Sequence, residues 1–96
     1  MAGSAKVVRR GRPTGSRSID PKVAAALGKA IASLRVAVGM SQEALALAAN
    51  VGRSNISMIE TGRMTPNFVG VVRIAAALNC SLPGLMQEFE HHYAEG

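Results

Sequence analysis

The side chains with the clearest chemical potential lie on a short polar segment near the middle of the chain. From 52 to 61 the sequence reads GRSNISMIET, in which Ile56 and Ile59 can share one buried face of a helix. Arginine can donate two hydrogen bonds to guanine, and an apolar group can contact the methyl group of thymine. The segment therefore favours recognition of DNA in the major groove by its outer residues, Arg53, Ser54 and Met58 at base edges and Asn55 and Ser57 at the backbone or flanking bases. The alternative is a helix surface that is simply solvated.

Two helices and a tight turn must position these residues. Ser41 can cap a helix over 42–49, and a second helix is predicted over 53–61, with Asn50-Val51-Gly52 as the turn. Asn50 suits a left-handed turn position, because asparagine tolerates that conformation better than most residues. Gly52 stands at the cap of the second helix and offers no side-chain oxygen. This order of elements is that of a helix-turn-helix.

Three further helices complete the predicted all-α fold of about five short helices. Asp20-Pro21 begins the first helix, Thr65-Pro66 begins the fourth, and Ser81 caps a fifth that runs from Leu82 to about Phe89. No segment alternates with a period of two, so we expect no sheet. The predicted inner face of the first helix is Leu27, Ile31, Leu34 and Val38, and that of the fourth is Phe68, Val71, Val72, Ile74, Ala75 and Leu78.

The charges are distributed unevenly along the 96 residues, whose net charge is +5. Residues 1–22 carry six basic side chains against Asp20, whereas residues 79–96 carry three glutamates and no lysine or arginine. A basic end of this kind favours a polyanionic partner. We expect a basic N-terminal arm over 1–19, disordered because it cannot bury apolar surface, a helical domain over 20–90 and a tail over 91–96.

Several motif positions agree with one known family. Ser41-Gln42-Glu43, Ile56-Ser57, Ile59-Glu60, Gly62 and Pro66 together resemble the lambda-repressor/Cro-like helix-turn-helix family, over about residues 24–90. The resemblance implies that the second motif helix enters the major groove and that the protein is a sequence-specific transcriptional regulator, a repressor rather than an activator.

The resemblance also assigns roles to residues beside the recognition helix. It implies that Gln42 binds a phosphate and braces that helix, and that Glu60 pairs with Arg35. Thr61 and Arg63 follow the helix, where backbone amides and a basic side chain can meet the next phosphate.

The N-terminal arm carries a second DNA-binding signal. Arg10-Gly11-Arg12-Pro13 resembles the core of an AT-hook, which lies extended in a narrow minor groove. Arg9 and Arg17 would then reach neighbouring phosphates. The alternative is a general polycation, which would also add affinity without entering the groove.

The fifth helix is the predicted surface for self-association. Its apolar residues exceed what one face needs to close a small core, and a two-fold dimer is the usual way to read a pseudo-palindromic operator. The predicted interface is Leu82, Leu85, Met86, Phe89 and Tyr93. The alternative is that all five pack inside the domain.

Other functions find little support in the sequence. Cys80 is the single cysteine and His91-His92 are adjacent, so we expect no metal site, no cofactor and no enzymatic activity. No signal peptide or membrane-spanning run is evident, so we expect a cytoplasmic, nucleoid-associated protein that binds double-stranded DNA and a second copy of itself. Two alternatives stay open: an architectural DNA binder led by the arm, and an antitoxin-type module with a small protein partner.

Overall fold

The computed structural model describes residues 19–95, which form five helices and no strand. The helices are α1 (Pro21–Ala37), α2 (Gln42–Ala49), α3 (Arg53–Glu60), α4 (Phe68–Ala77) and α5 (Leu82–Glu95). The all-α prediction is confirmed, with the helix-turn-helix at α2 and α3. In this part of the chain no single helix has the length and apolar composition of a membrane span; only two bent pairs, α1 with α2 and α4 with α5, reach them together.

Local signals in the sequence fix most helix ends. The Asp20 carboxylate accepts hydrogen bonds from the backbone N–H groups of Lys22 and Val23, at 2.9 and 3.1 Å, and proline follows it at the first helical position. Ser41 and Ser81 cap α2 and α5 in the same way. Asn50 closes α2 with φ of 57°, in the left-handed conformation predicted for it.

A single core of aliphatic side chains joins the five helices. α1 packs against α5 and α3, and α2 packs against α3 and α4. Burial of each large aliphatic side chain contributes about 1.5–3 kcal/mol relative to exposure, so these residues hold the recognition helix in place. The fully buried large residues are Ile31, Leu45, Ile56, Ile59, Ile74, Leu78 and Leu85.

The start and the inner face of α4 differ from the prediction. Asn67, rather than Thr65, caps the helix, and its side chain accepts a hydrogen bond from the N–H of Gly70 at 2.8 Å. Phe68 and Val72 point outward, 70% and 42% exposed. The segment FVGVVRIAAA has apolar residues on every side, so its periodicity does not define which face is buried. Val38 is also exposed, because α1 ends one residue before it.

α5 is longer than predicted and continues to Glu95 rather than ending near Phe89. Side chains beyond Phe89 make contacts that stabilise the additional turns of α5. The rings of Phe89 and Tyr93 stack with centroids 5.4 Å apart, and the Lys22 ammonium lies 4.3 Å from the centre of the Tyr93 ring. His92 adds a 3.2 Å contact with Glu88, one helical turn earlier. Residues 91–95 are thus part of the helix rather than a separate tail.

Candidate nucleic-acid interface

α3 buries two isoleucines and leaves the side chains around them accessible. Ile56 and Ile59 are fully buried and fix the rotation of the helix about its axis. Arg53, Ser54, Asn55 and Met58 are exposed, and Ser57 is half-buried beside them. The structure therefore leaves accessible the five residues that were assigned to the major groove.

The N-terminal end of α3 is open. Gly52 is the N-cap residue and supplies no side-chain hydrogen bond to the first turn. The first backbone N–H groups of a helix have no partner within the helix, and they carry a partial positive charge. Arg53 adds a full positive charge at this end, and the N-terminal residues of a recognition helix are the ones that contact base edges.

The C-terminal end of α3 is held by a hydrogen-bonded network around Glu60. Arg35 on α1 donates to both carboxylate oxygens, from Nε at 2.6 Å and from Nη2 at 3.1 Å. Its Nη1 donates to the carbonyl oxygen of Met40 at 2.8 Å. Gln42 on α2 donates from Nε2 to Glu60 at 2.9 Å. One carboxylate therefore ties α3 to both preceding helices, and the predicted Arg35–Glu60 pair is confirmed.

This network is largely removed from solvent. The Glu60 side chain is 5% exposed and the Arg35 side chain 16%. The hydrogen bond from Arg35 to Glu60 raises the pKa of the guanidinium above its ordinary value, against the opposing effect of burial. Because both carboxylate oxygens are satisfied, the pair costs little in unmet hydrogen bonds and restricts the direction in which α3 points.

Two roles were assigned to Gln42, bracing α3 and binding a phosphate, and the structure shows the first. Its side-chain amide braces α3 through Glu60, as the family resemblance implied. One amide hydrogen is committed to that bond, and an amide nitrogen carries a second. Binding of a DNA phosphate by Gln42 stays a prediction.

Gly28 on α1 is a functional position that sequence reasoning missed. A Cβ atom built on it would lie 2.4 Å from the carbonyl oxygen of Ile59 and 2.7 Å from that of Glu60. The backbones of α1 and α3 therefore touch, which only glycine allows. A glycine inside an otherwise regular helical pattern was the available signal.

The exit from α3 uses its own backbone groups. Gly62, with φ of 77°, lets the N–H of Arg63 reach the carbonyl of Met58 at 2.8 Å. The N–H groups of Thr61 and Gly62 are also bonded to α3, and the Thr61 hydroxyl donates to the carbonyl of Ser57 at 2.9 Å. The expectation that backbone amides here bind a phosphate is wrong, because those amides are committed. The exposed Arg63 side chain is left for that role.

The surface around α3 carries positive charge. From 52 to 77 the charged residues are three arginines, Arg53, Arg63 and Arg73, and one acid, Glu60. All three arginines are exposed, whereas the acid is neutralised by Arg35. A surface with this balance attracts the DNA backbone.

The remaining predicted site residues fall into two groups. Arg9, Arg10, Arg12 and Arg17 lie outside the described residues. In α5, Leu85 is fully buried in the core, so its assignment to a dimer interface is wrong. Leu82 and Phe89 are half-buried against that core, which leaves Met86 and Tyr93, each 37% exposed.

A comparison with protein families defines the class of protein. The family model described as helix-turn-helix matches residues 31–85, more than half of the chain. The chain belongs to this family, of the Cro/C1 type, and is a DNA-binding transcriptional regulator.

Two solved regulators are similar to this chain. The restriction-modification controller protein C.AhdI from Aeromonas hydrophila is 31% identical over 64% of this chain and 92% of its own, with a TM-score of 0.62. The clp gene regulator ClgR from Corynebacterium glutamicum is 27% identical over 76% of this chain and 78% of its own, with a TM-score of 0.73. A second ClgR structure gives 28% identity, coverage of 75% and 94%, and a TM-score of 0.70. No curated protein sequence matches the chain significantly.

Proposed function

We propose that this regulator is a repressor that binds a pseudo-palindromic operator as a homodimer. The observation that supports it is the exposed face of α3, which combines an open, positively charged N-terminal end with a C-terminal end locked by the Glu60 network. A helix held in this way offers its first turns to the major groove in one orientation. It acts by occupying DNA in the cytoplasm and not by catalysing a reaction.

Each part of the surface then has its own role in binding DNA. Arg53 and Ser54 read base edges at the start of α3, and Met58 contacts a thymine methyl or a sugar. Asn55 and Ser57 reach flanking bases or the backbone, and Gln42 and Arg63 bind phosphates on either side of the helix. The N-terminal arm, with Arg10-Gly11-Arg12-Pro13 at its centre, follows the flanking minor groove.

The test is selection of bound sequences from a random DNA pool with the full-length chain, at near-physiological salt. The expected result is a two-fold symmetric motif with fixed spacing of about 10 base pairs between half-site centres, or a multiple of one turn. An enriched motif without symmetry would overturn the homodimer. Enrichment of AT-rich DNA with no motif would replace the proposal with architectural binding led by the arm.

Removal of residues 1–18 tests the arm separately. Each phosphate contact that the arm makes should contribute about 0.9 to the slope of log affinity against log salt concentration. We expect the truncated chain to bind more weakly, with a shallower slope, and to select the same half-site. An unchanged slope would exclude the arm from the DNA complex.

A further inference from the structure

The structure leaves more large apolar side chains exposed on α4 than on α5. Phe68 is 70% exposed and Val72 is 42% exposed, and Val69 beside them is 54% exposed. The outward residues of α5 include only one large aliphatic side chain, Met86, because Leu85 is buried and Leu82 and Phe89 pack against the core. Soluble proteins seldom leave clustered large apolar side chains in water without a partner.

We propose that this face of α4, defined by Phe68, Val72 and Ala76, is the surface on which two copies of the chain associate. The inference rests on the proposed homodimer and names its contact. The three residues are spaced four apart and form one ridge along the helix. All three are exposed and uncharged.

The order of side-chain sizes along this ridge suits a second copy. Phe68 is large, Val72 is intermediate and Ala76 is small. A two-fold axis at Val72 pairs α4 with its copy in antiparallel orientation, so that Phe68 of each chain meets Ala76 of the other and the two Val72 side chains meet at the axis. A two-fold interface must be self-complementary in this way, and a large residue facing a small one packs without a void.

A contact on α4 is also compatible with the spacing that DNA requires. α4 packs against α2, and α2 packs against α3. Packed helix axes lie about 8–10 Å apart, so α3 lies about 10–20 Å from α4, and the two-fold axis lies about 4–5 Å beyond the axis of α4, which places α3 at most about 25 Å from the two-fold axis. Half-sites one turn apart require about 17 Å from the axis to each recognition helix, since one turn of DNA spans about 34 Å.

Another exposed apolar residue lies beside the ridge of Phe68, Val72 and Ala76. Val69 lies next to it on the same helix and is 54% exposed. A stable interface buries about 800 Å² on each partner, and one aromatic side chain contributes about 150–250 Å². On α5 the exposed large apolar side chains are Met86 and Tyr93, whereas α4 exposes Phe68, Val69 and Val72 to a greater degree and so supplies a larger share of that area.

The first test is the oligomeric state of the full-length chain by sedimentation velocity. We expect the wild type to be a dimer and Val72→Lys to weaken association at least tenfold. Met86→Lys is the matched control, because Met86 is similarly exposed, and it should change association less than threefold. Circular dichroism reports the fold of each variant, and Phe68→Ser gives the same readout if Val72→Lys does not fold.

The second test is cross-linking at the axis in a Cys80→Ser background. Cα atoms lie 2.3 Å from a helix axis, so facing residues of two packed helices come within about 4–5 Å of each other, a distance that a disulfide can bridge. Under a mild oxidant, we expect Val72→Cys to give a covalent dimer and Met86→Cys to stay uncoupled.

The possible outcomes separate this inference from the proposal on which it rests. A wild type that saturates DNA as a monomer would overturn the homodimer itself. A dimer that survives Val72→Lys, or that Met86→Lys dissociates, would overturn only the α4 surface. Val72→Lys that stays dimeric but loses affinity for DNA would assign this face to DNA and also overturn the inference.

Discussion

The two ends of the recognition helix are held by different means. At the C-terminal end, the Glu60 carboxylate accepts three hydrogen bonds from α1 and α2, and Gly28 lets the backbones of α1 and α3 touch. At the N-terminal end, Gly52 supplies no cap and Arg53 extends into solvent. The contacts that fix the position of α3 are therefore concentrated at its C-terminal end, away from the residues proposed to meet bases. Its N-terminal end lacks a side-chain cap and is available to DNA.

The largest effect should come from Gly28→Ala. Replacing a mid-helix glycine by alanine ordinarily stabilises a helix by about 1 kcal/mol. Here the added methyl would lie 2.4 Å from the Ile59 carbonyl oxygen, so α1 and α3 must separate. We expect a net loss of about 4 kcal/mol in the free energy of unfolding, measured with urea.

Gly52→Ala is the matched control at the opposite end of α3. A Cβ atom there meets nothing nearer than 3.6 Å, so the change should cost about 0.5 kcal/mol through the weaker cap alone. Equal losses from the two glycine variants would remove the contrast between the two ends.

Glu60→Ala should have the next largest effect, a loss of about 3 kcal/mol, because it leaves the largely buried Arg35 without its carboxylate. The double variant Arg35→Met, Glu60→Leu removes both charges and should recover much of that loss. Urea unfolding of Arg35→Met, Glu60→Leu and the double variant gives the coupling energy. A double variant as unstable as the sum of the single variants would show that the pair does not act as a unit.

Arg53→Ala should act at the other end, on specificity and not on the fold. We expect a loss of about 2 kcal/mol in discrimination between cognate and scrambled DNA, since a bidentate arginine–guanine contact contributes about 1–3 kcal/mol. The free energy of unfolding should change by less than about 0.5 kcal/mol. Lys29→Ala, an exposed charge on α1, is the control and should leave discrimination unchanged. Unchanged discrimination with Arg53→Ala would remove this residue from base recognition.

The smallest effect should come from Gly52→Ser. Serine adds the capping oxygen that the first turn of α3 lacks and should stabilise the chain by a few tenths of a kcal/mol, about 0.3. Thermal unfolding with the wild type alongside measures it. A destabilised Gly52→Ser variant would indicate that the open end depends on glycine for a reason other than capping.

The local parts of this arrangement could be predicted from the sequence. Some residues act through neighbours that are close in the chain, and their effects can be predicted from the order of residue types. Examples are Asn50 in the turn, Asp20 before α1 and the two isoleucines of α3. The pairing of Arg35 with Glu60 joins residues 25 apart. Only the family resemblance indicated it.

The parts that depend on packing between helices could not be predicted. The burial of Leu85 and the exposure of Phe68 depend on which face of an apolar helix meets its neighbours, and periodicity does not decide that where nearly every residue is apolar. The length of α5 depends on the contact of Tyr93 with Lys22, which lies at the opposite end of the described chain. The close approach at Gly28 likewise becomes visible only once α1 and α3 are placed together.

The contact between Lys22 and Tyr93 has a consequence for how the chain folds. It joins residues about 70 positions apart, so α1 and α5 can meet only after most of the chain has been synthesised, and closing a loop of that length carries an entropic cost. The helix-turn-helix, by contrast, is built from residues close in sequence, and local contacts form faster. We expect the DNA-reading motif to take shape early during translation and the two terminal helices to seal the domain last.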